Sequence, residues 1–338
     1  MTLFRCQTPV HKAETLPSVE WTQANIAKFG GNPSQVVLWG HSAGSVAVDY
    51  YNFAYPRDPI VKGLIMNSGT AHLNQLVSQD TTYSNFTFVA TNVGCGNQTD
   101  AAAELACMRK VPADVIEDFV HAYEDSGVSP SITFSPTVDE VIVFGNYTER
   151  AALGALSTLV RPTHTGYHPH QIDSLFQPAM IGMTANEGMF LAPYLPNGSS
   201  QAIADQISYS YIWCPSIKTT YERLAANRTT HRFFYAGNFT NVSPKPWMGA
   251  YHSSELPMVF GTHDLNGESG DFEVAVSEAM QDAYLAFARD GGKGLEELNW
   301  EAYEMTERKV REYAITGVVD KMVALTEIED ECAALGLA

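Results

Sequence analysis

The segment VVLWGHSAGSVAV, residues 36–48, constrains the fold of this chain more than any other feature. Its branched apolar residues predict a buried strand that stops at Gly40, and an apolar segment compatible with a helix begins after Ser42. The intervening G-x-S-x-G pattern, GHSAG, is typical of a sharp turn that strains the serine backbone and lifts its hydroxyl above a sheet. Gly40 and Gly44 are expected to be small because any side chain there would collide. We therefore predict that Ser42 is a nucleophile; the alternative is a tight glycine turn without chemistry.

A nucleophilic serine requires partners elsewhere in the chain. An imidazole must take its proton, and a carboxylate must hold that imidazole in the correct tautomer. On a strand–turn–helix scaffold of this type, the chain order is serine, acid, histidine. Glu187 follows the strand-like PAMIGMT and His252 follows HRFFYAG after a loop, although either alone is typical of a solvated loop residue. The backbone N–H of Ala43, at the start of the predicted helix, is expected to face a developing oxyanion.

Short apolar strands alternate with helical segments along the chain. This alternation predicts a mainly parallel sheet with helices on both faces. No low-complexity linker divides the sequence, which favours a single domain over residues 1–338. The predicted helices are VEWTQANIAKFGG, SAGSVAVDYYNFA and FEVAVSEAMQDAYLAFARDG, and the predicted strands are QVVLWG, VKGLIMNSG, PAMIGMT and HRFFYAG.

Composition excludes several function classes. Of the 338 residues, 45% are hydrophobic and 17% charged, which is typical of a globular protein with a sizeable core. The net charge of −18, from 38 acidic and 20 basic residues, disfavours nucleic acid and anionic membranes as partners and favours solubility. No apolar run is long enough to span a membrane. The first residues lack the apolar core of a secretory signal, which by itself indicates a cytosolic protein.

Glycosylation sequons point in the other direction. Seven N-x-[ST] triplets without proline are more than composition usually supplies, and they favour secretion. A secreted protein without a signal peptide then requires an explanation. The sequons begin at Asn85, Asn97, Asn146, Asn197, Asn227, Asn238 and Asn241.

The five cysteines are compatible with secretion. Cys95 and Cys107 can close a short loop through a disulfide, and Cys214 and Cys332 can form a long-range bridge. Reduced, buried thiols are the alternative for all four. Cys6 is left without a partner.

The stretch EWTQANIAKFGGNPSQVVLWGHSAGS resembles the nucleophile region of the type B carboxylesterase family, the cholinesterase-like branch of the α/β-hydrolases. The later motifs MNSG, FSPTVDE, GMTANEG, YIWCP and HSSELPMVFGTH also resemble that family and occur in its order. The resemblance extends from about Leu16 to about Cys332. It implies an α/β-hydrolase fold and hydrolysis of carboxylic esters through an acyl-enzyme, with a small-molecule ester as substrate and no metal or organic cofactor.

The resemblance also assigns roles to individual residues. In the family both cysteine pairs are disulfides, which implies the bridges Cys95–Cys107 and Cys214–Cys332. Ser68 and Glu255 match family positions near the histidine, which implies that they support the site through hydrogen bonds. The resemblance implies that Ser42 is the nucleophile, Glu187 the acid and His252 the base of a catalytic triad, and that the Ala43 N–H is an oxyanion donor. The turn around the nucleophile, called the nucleophile elbow, is formed by Gly40, His41 and Gly44. The supporting residues are Ser68 and Glu255.

The chain also departs from the family pattern. The early strands and the glycine-rich HGGG-type loop that supplies further oxyanion donors have no counterpart, so we expect a fold that lacks the N-terminal strands and an impaired activity. An N-terminally truncated or imperfectly spliced sequence of a secreted esterase would explain this and the missing signal. His41 replaces the acidic or amide residue usual before the nucleophile.

Two internal segments differ in length from the family. Residues 156–174 form an apparent insert, whose histidines 164, 168 and 170 favour an irregular surface loop over a metal site. The segment between Glu187 and His252 is shorter than in the family, which leaves open a lipase acting on long-chain esters. A third hypothesis is a catalytically weak or inactive member with an adhesion or binding role, against which the retention of all three triad residues argues.

Overall fold

A computed structural model describes residues 15–57, 60–73, 77, 78, 80, 82–156, 177–193, 195–315 and 317–337. Of the predicted insert, Leu156 is described and residues 157–174 lie outside the described residues. Cys6 also lies outside them. The chain divides into two compact units, one within residues 75–145 and the other within residues 14–74 and 146–338. The single domain over residues 1–338 stays a prediction.

A six-stranded sheet forms the centre of the larger unit. Its strands lie in sequence order from one edge to the other, parallel from the first to the fifth and antiparallel between the last two. This confirms the predicted mainly parallel sheet, in which the carboxyl ends of the parallel strands share one edge. The strands are β1 (Val36–His41), β2 (Val61–Asn67), β3 (Ala179–Thr184), β4 (Thr230–Tyr235), β5 (Lys309–Ile315) and β6 (Val318–Ala324).

Hydrophobic residues cover both faces of this sheet. Ile65 of β2 lies in one core cluster, whereas its neighbours Leu64 and Met66 lie in another, because successive side chains of a strand point to opposite faces. Such residues explain why the strands read as continuous apolar runs. The helices of this unit are α1 (Thr15–Asn25), α2 (Ala43–Ala54), α6 (Tyr147–Ala152), α7 (Glu187–Leu191), α8 (Gln201–Ile207), α9 (Cys214–Ala225), α10 (Leu256–Phe260), α11 (Asp271–Asp290), α12 (Gly292–Glu296) and α13 (Thr326–Ala334).

The long helix α11 and the first helix show how the pattern becomes structure. Val276, Met280 and Phe287 recur at helical spacing on α11 and are buried in the first core cluster. The predicted first helix is α1 followed by a short 3-10 turn, and Gly30 ends it with a left-handed φ of 83°. Gly30 thus confirms the predicted glycine stop.

The final hairpin, β5 with β6, was not predicted from the sequence. Charged side chains interrupt both of its apolar runs, among them Arg311 and Asp320, which form an ion pair with a 2.6 Å N–O distance. Gly317 at the turn has a φ of 77°, a conformation that favours glycine. The turn glycine between two β-branched segments is the signal that identifies such a hairpin.

The smaller unit is helical in its described part. Its helices are α3 (Ser84–Ala90), α4 (Ala101–Met108) and α5 (Ala113–Asp125). The disulfide Cys95–Cys107 lies beside a small core that includes Met108 and Ile132. The second disulfide, Cys214–Cys332, lies in the larger unit and joins α9 to α13. The structure thus forms both implied bridges. Within the described residues, no helix has the length and apolarity to cross a membrane.

Candidate active site

Ser42 occupies the turn between β1 and α2. Its backbone has φ 54° and ψ −122°, a strained conformation for a residue with a side chain. The amide of Ser42 donates to Asn67 O at 2.8 Å, and its carbonyl accepts from Val46 N at 3.0 Å. The turn is thereby tied to the end of β2 on one side and to the first turn of α2 on the other. The structure confirms the strained strand-to-helix turn that the motif predicts.

The two glycines of the motif have different roles. A Cβ on Gly40 would collide with the carbonyl oxygen of Gly44, so Gly40 is required to be small. A Cβ on Gly44 would meet no described atom within 4 Å, and the predicted collision at Gly44 is therefore wrong. The physical reason is that Gly44 lies on an exposed side of the first turn of α2. Gly69, missed by the sequence analysis, also needs to be small, since its Cβ would lie 2.7 Å from Ser42 O.

Glu187 and His252 form a buried pair at the carboxyl ends of β3 and β4. Glu187 begins α7 directly after β3, and His252 lies in the loop that follows β4. Glu187 Oε2 lies 2.6 Å from His252 Nδ1, and the two residues are 0% and 3% exposed. A parallel bridge between Asn186 and Tyr251 holds the two loops side by side. The structure therefore brings together a predicted acid and a predicted base that are 65 residues apart.

The other oxygen of Glu187 is also fully engaged. Its Oε1 accepts hydrogen bonds from Ser68 Oγ and from Thr184 N, both at 2.7 Å. Three polar groups thus fix the orientation of one carboxylate. Burial opposes ionisation of His252, but its hydrogen bond with Glu187 and the charge of that carboxylate raise the pKa of His252 above its ordinary value. The predicted supporting residue Ser68 contacts the acid, not the histidine.

Glu255 lies next to this pair in a different environment. It is 1% exposed, and Oε1 accepts one side-chain hydrogen bond, from Asn67 Nδ2 at 3.1 Å. The Tyr284 hydroxyl lies 2.7 Å from Asn67 Nδ2 and 2.9 Å from Asn67 Oδ1, which extends the network to α11. Burial and the negative charge of Glu187 raise the pKa of Glu255 to about 7.

His41, the residue before Ser42, lies beside both Glu255 and His252. Its Nε2 lies 3.7 Å from Glu255 Oε1, and its ring centroid lies 4.6 Å from that of His252. Burial and repulsion from a protonated His252 lower the pKa of His41 to about 4. His41 is therefore a neutral imidazole at neutral pH.

Nε2 of His252 is the ring nitrogen that Glu187 does not contact, so it is the one that can accept a proton. His252 Nε2 is buried and has no hydrogen-bond partner among the described residues. Within the same part of the chain no hydrogen bond joins it to Ser42 Oγ, a contact that often tightens only when substrate binds. Ser42 is half-buried, whereas Ala43 is exposed at the start of α2.

Phe190 adds an exposed aromatic surface beside the base. It is 57% exposed, and its ring centroid lies 6.4 Å from that of His252 and 5.8 Å from that of Tyr251. The sequence analysis missed Phe190, although it lies three residues after Glu187 on the same short helix. In the described ranges, no group of three metal-ligating side chains lies together, and the histidines 164, 168 and 170 lie outside those ranges.

The parallel sheet, the strained serine turn on β1 and the carboxylate–imidazole pair after β3 and β4 define an α/β-hydrolase. Comparisons with known proteins agree. The sequence model described as the Carboxylesterase family matches residues 15–208 and 196–329, and this chain belongs to that family.

Two of its relatives are fungal proteins. The chain is 38% identical over 335 residues to Secreted lipase 5 of Gibberella zeae, covering 95% of this chain and 59% of that protein. It is 38% identical over 331 residues to a chlorogenic acid esterase of Aspergillus niger, covering 93% of this chain and 60% of that protein. Carboxylesterase 1C of Rattus norvegicus is 25% identical over 350 residues, covering 91% of this chain and 60% of that protein. The chain thus spans about 60% of the length of these relatives.

Proposed function

We propose that this protein hydrolyses carboxylic esters through an acyl-enzyme on Ser42. The observation that carries the proposal is the buried Glu187–His252 pair, whose unpartnered Nε2 belongs to the same sheet edge as the strained Ser42 turn. A carboxylate on Nδ1 leaves Nε2 as the nitrogen that accepts a proton. This arrangement is what a serine nucleophile requires.

The reaction follows from these groups. His252 Nε2 takes the proton of Ser42 Oγ as this oxygen attacks the ester carbonyl, and Glu187 stabilises the imidazolium that forms. The tetrahedral intermediate collapses, and His252 gives its proton to the departing alcohol. Water then attacks the acyl-Ser42 ester, with His252 acting first as base and then as acid. The products are a carboxylic acid and the free enzyme.

The oxyanion is the demanding part of this mechanism. Ala43 N–H, at the start of α2, is the donor that we assign. Loss of one oxyanion donor lowers the rate by about a hundredfold to a thousandfold. We therefore propose that the rate of the reaction depends strongly on the Ala43 N–H.

The class of ester is a further part of the proposal. The two fungal relatives carry the names of a lipase and of a chlorogenic acid esterase. The exposed ring of Phe190 beside Tyr251 and His252 offers an apolar aromatic surface to one side of the reacting ester. This surface supports esters with an aromatic group over esters of long alkyl chains.

Labelling with a fluorophosphonate tests the nucleophile directly. The wild-type protein and the variant S42A are incubated with the probe, and the labelled peptide is identified by mass spectrometry. We expect a label on Ser42 and none above background in S42A. Hydrolysis of p-nitrophenyl acetate, p-nitrophenyl palmitate and methyl caffeate then ranks the esters. Faster turnover of the palmitate would favour the lipase alternative.

A non-catalytic adhesion or binding protein is the alternative from another class. Its supporting observation is the absence of a Ser42–His252 hydrogen bond among the described residues. Equal background labelling of the wild-type protein and S42A, with both folded by circular dichroism, would favour this alternative.

We also propose that the protein is a secreted glycoprotein. The structure sorts its sequons by accessibility. Asn241 Nδ2 donates to His263 O at 2.7 Å and to Ser269 Oγ at 3.0 Å, and because a glycosylated amide keeps one N–H, a glycan there would break at least one of these bonds. Exposed sequon residues are Asn97, Asn146, Asn197, Asn227 and Asn238. Expression in a eukaryotic secretory host, enzymatic deglycosylation in heavy-oxygen water and mass spectrometry would show which sequons carry a glycan, and Asn241 is expected to be empty.

A further inference from the structure

A second imidazole and a second carboxyl group lie beside the Glu187–His252 pair. His41 Nε2 and Glu255 Oε1 are 3.7 Å apart, and the His41 ring contacts the His252 ring at a centroid distance of 4.6 Å. His41 Nε2 and Glu255 Oε2 have no hydrogen-bond partner within the described part of the chain. The ester hydrolysis proposed above uses neither group.

We propose that His41 and Glu255 form a second imidazole–carboxyl pair that controls the charge next to His252 and thereby the pH at which Ser42 becomes reactive. This inference rests on the proposed function. Both members are positioning residues, because they act through His252 and neither is assigned a contact with substrate.

The chemistry of the pair follows from its burial. Glu255 is buried, and its donors are the Asn67 side chain and its own backbone N–H, so a neighbouring N–H has a large influence on its charge. A neutral His41 that presents Nε2–H towards Glu255 favours the ionised carboxylate. Ionised Glu255 in turn favours the imidazolium form of His252, because opposite charges attract. His41 thus influences the protonation of His252 in two ways, through the contact between their rings and through the charge of Glu255.

Few other groups titrate in this region. The charged groups facing Glu255 are Glu187 on α7 and His252 in its own loop. The phenols that feel its charge are Tyr235, Tyr251 and Tyr284, and their pKa values lie above the ordinary value for tyrosine. They therefore remain neutral through the working range. Among the described groups of this network, His252 and Glu255 are therefore the ones that change charge near neutral pH.

Substitutions that remove either member should act in the same direction. In H41L the carboxyl group loses its imidazole neighbour and holds its proton to higher pH. In E255Q the charge is absent at every pH. Both changes remove a negative charge beside His252, so His252 loses its proton at lower pH and the limiting rate of Ser42 acylation falls. We expect the midpoint to move down by about half a unit to one unit in each.

The experiment measures this midpoint in two ways on the full chain. The second-order rate of fluorophosphonate labelling is recorded from pH 4.5 to 9, and the His252 ring resonances are titrated by NMR over the same range. The variants are H41L, H41Q, E255Q and the double variant H41L/E255Q. His263 and Glu273 form a matched control, since their 3.9 Å imidazole–carboxyl pair does not contact His252 in the described structure. H263L should leave the midpoint in place.

The expected result is a double variant that shifts no further than the larger single variant, because the two residues act through one pathway. H41Q, which keeps a donor of similar reach, should shift less than H41L. Shifts that add in the double variant, or an H41L midpoint equal to that of the wild type, would overturn the proposal.

The wild-type protein supplies a readout that needs no variant. The His41 ring resonances should show an inflection near neutral pH that disappears in E255Q, since the ring reports the ionisation of Glu255. Absence of that inflection in the wild type would also overturn the pair. Failure of the proposed function is distinguishable, because Ser42 would then remain unlabelled while the NMR titrations still report the His41–Glu255 coupling.

Discussion

The two imidazole–carboxyl pairs beside Ser42 contain the same chemical groups in different surroundings. The Glu187 carboxylate accepts from Ser68 Oγ, Thr184 N and His252, whereas Glu255 accepts one side-chain bond from Asn67 and lies 3.7 Å from His41. Both carboxyl groups are buried. The two carboxyl groups therefore differ in their hydrogen-bond donors, and the pKa of Glu255 is raised to about 7, by burial and by the negative charge of Glu187.

This difference suits the two carboxyl groups to different roles in the site. A carboxylate with three fixed donors holds one orientation, which suits the orienting of a base. A buried carboxyl group whose pKa is raised to about 7 changes its charge near neutral pH, which suits the tuning of a neighbour. The predictions below remove these supports in turn and begin with the largest expected effect.

Replacement of Glu187 by glutamine should have the largest effect. The amide would stabilise the tautomer of His252 that carries its proton on Nε2, so the nitrogen proposed to take the Ser42 proton could no longer accept one. We expect the rate of Ser42 labelling to fall by about a thousandfold to ten-thousandfold. Stopped-flow or time-course labelling with a fluorophosphonate measures the rate.

The chain offers a matched control for E187Q. Glu222 Oε2 lies 2.6 Å from His72 Nε2, so it is also a carboxylate paired with an imidazole, away from the described contacts of His252. The variant E222Q should label at a rate close to that of the wild type. Equal losses in E187Q and E222Q would contradict a specific role for Glu187.

Replacement of Glu255 by glutamine should change how stability depends on pH. The folded-state pKa of Glu255 is raised to about 7, above that of an unfolded glutamate, so the folded state binds more protons between these values. The wild type therefore loses stability as the pH rises from about 4.5 to 7, and E255Q lacks this loss. Relative to E255Q, the wild type should lose about 3 kcal/mol over this window.

Urea unfolding of both proteins at pH 5 and pH 8 measures the difference. The variant E222Q is again the control, and with the opposite sign, because the hydrogen bond with His72 outweighs burial and lowers the pKa of Glu222. Its contribution is lost at acid pH, so the wild type and E222Q should differ similarly at pH 5 and pH 8. A constant difference between the wild type and E255Q would show that Glu255 is ionised throughout.

The sequence predicted one half of this site far better than the other. Ser42 and its turn are local, because a single strand–turn–helix segment carries the pattern. Glu187 and His252 follow predicted strands, and the parallel sheet brings the ends of those strands to one edge. The final hairpin, in contrast, is interrupted by charged residues and gave no continuous apolar signal.

The network around Glu255 could not be predicted from local patterns. Asn67 bonds Glu255 across 188 positions and contacts Tyr284 across 217 positions, and no spacing rule links residues so far apart. The resemblance to the family pointed to Glu255 as a supporting residue without showing its partners. The open space beside Gly44 was likewise invisible, because a motif does not report which side of a turn is covered.

Removal of the Ser68 hydroxyl should have an intermediate effect. Its 2.7 Å bond to Glu187 Oε1 is a hydrogen bond to a charged group, which contributes about 1.5–3 kcal/mol. In S68A one of three donors is lost, and we expect labelling of Ser42 to slow by about tenfold. Ser254 is a matched control, because its hydroxyl is buried without a partner among the described residues. S254A should label normally, and an equal slowing in both variants would contradict the role of Ser68.

Removal of the Tyr284 hydroxyl should have the smallest effect, because it supports Asn67 and reaches Glu255 only through that amide. In Y284F one neutral hydrogen bond is lost, and we expect the free energy of unfolding to fall by about 1 kcal/mol. Tyr235 is a matched control, since its buried hydroxyl lacks a hydrogen-bond partner in the described chain, and Y235F should be no less stable than the wild type. Labelling of Ser42 should change by less than about threefold, because Glu187 keeps all three of its donors. A loss in Y284F as large as that in S68A would show that the two carboxyl groups are held by one network and would remove the distinction between them.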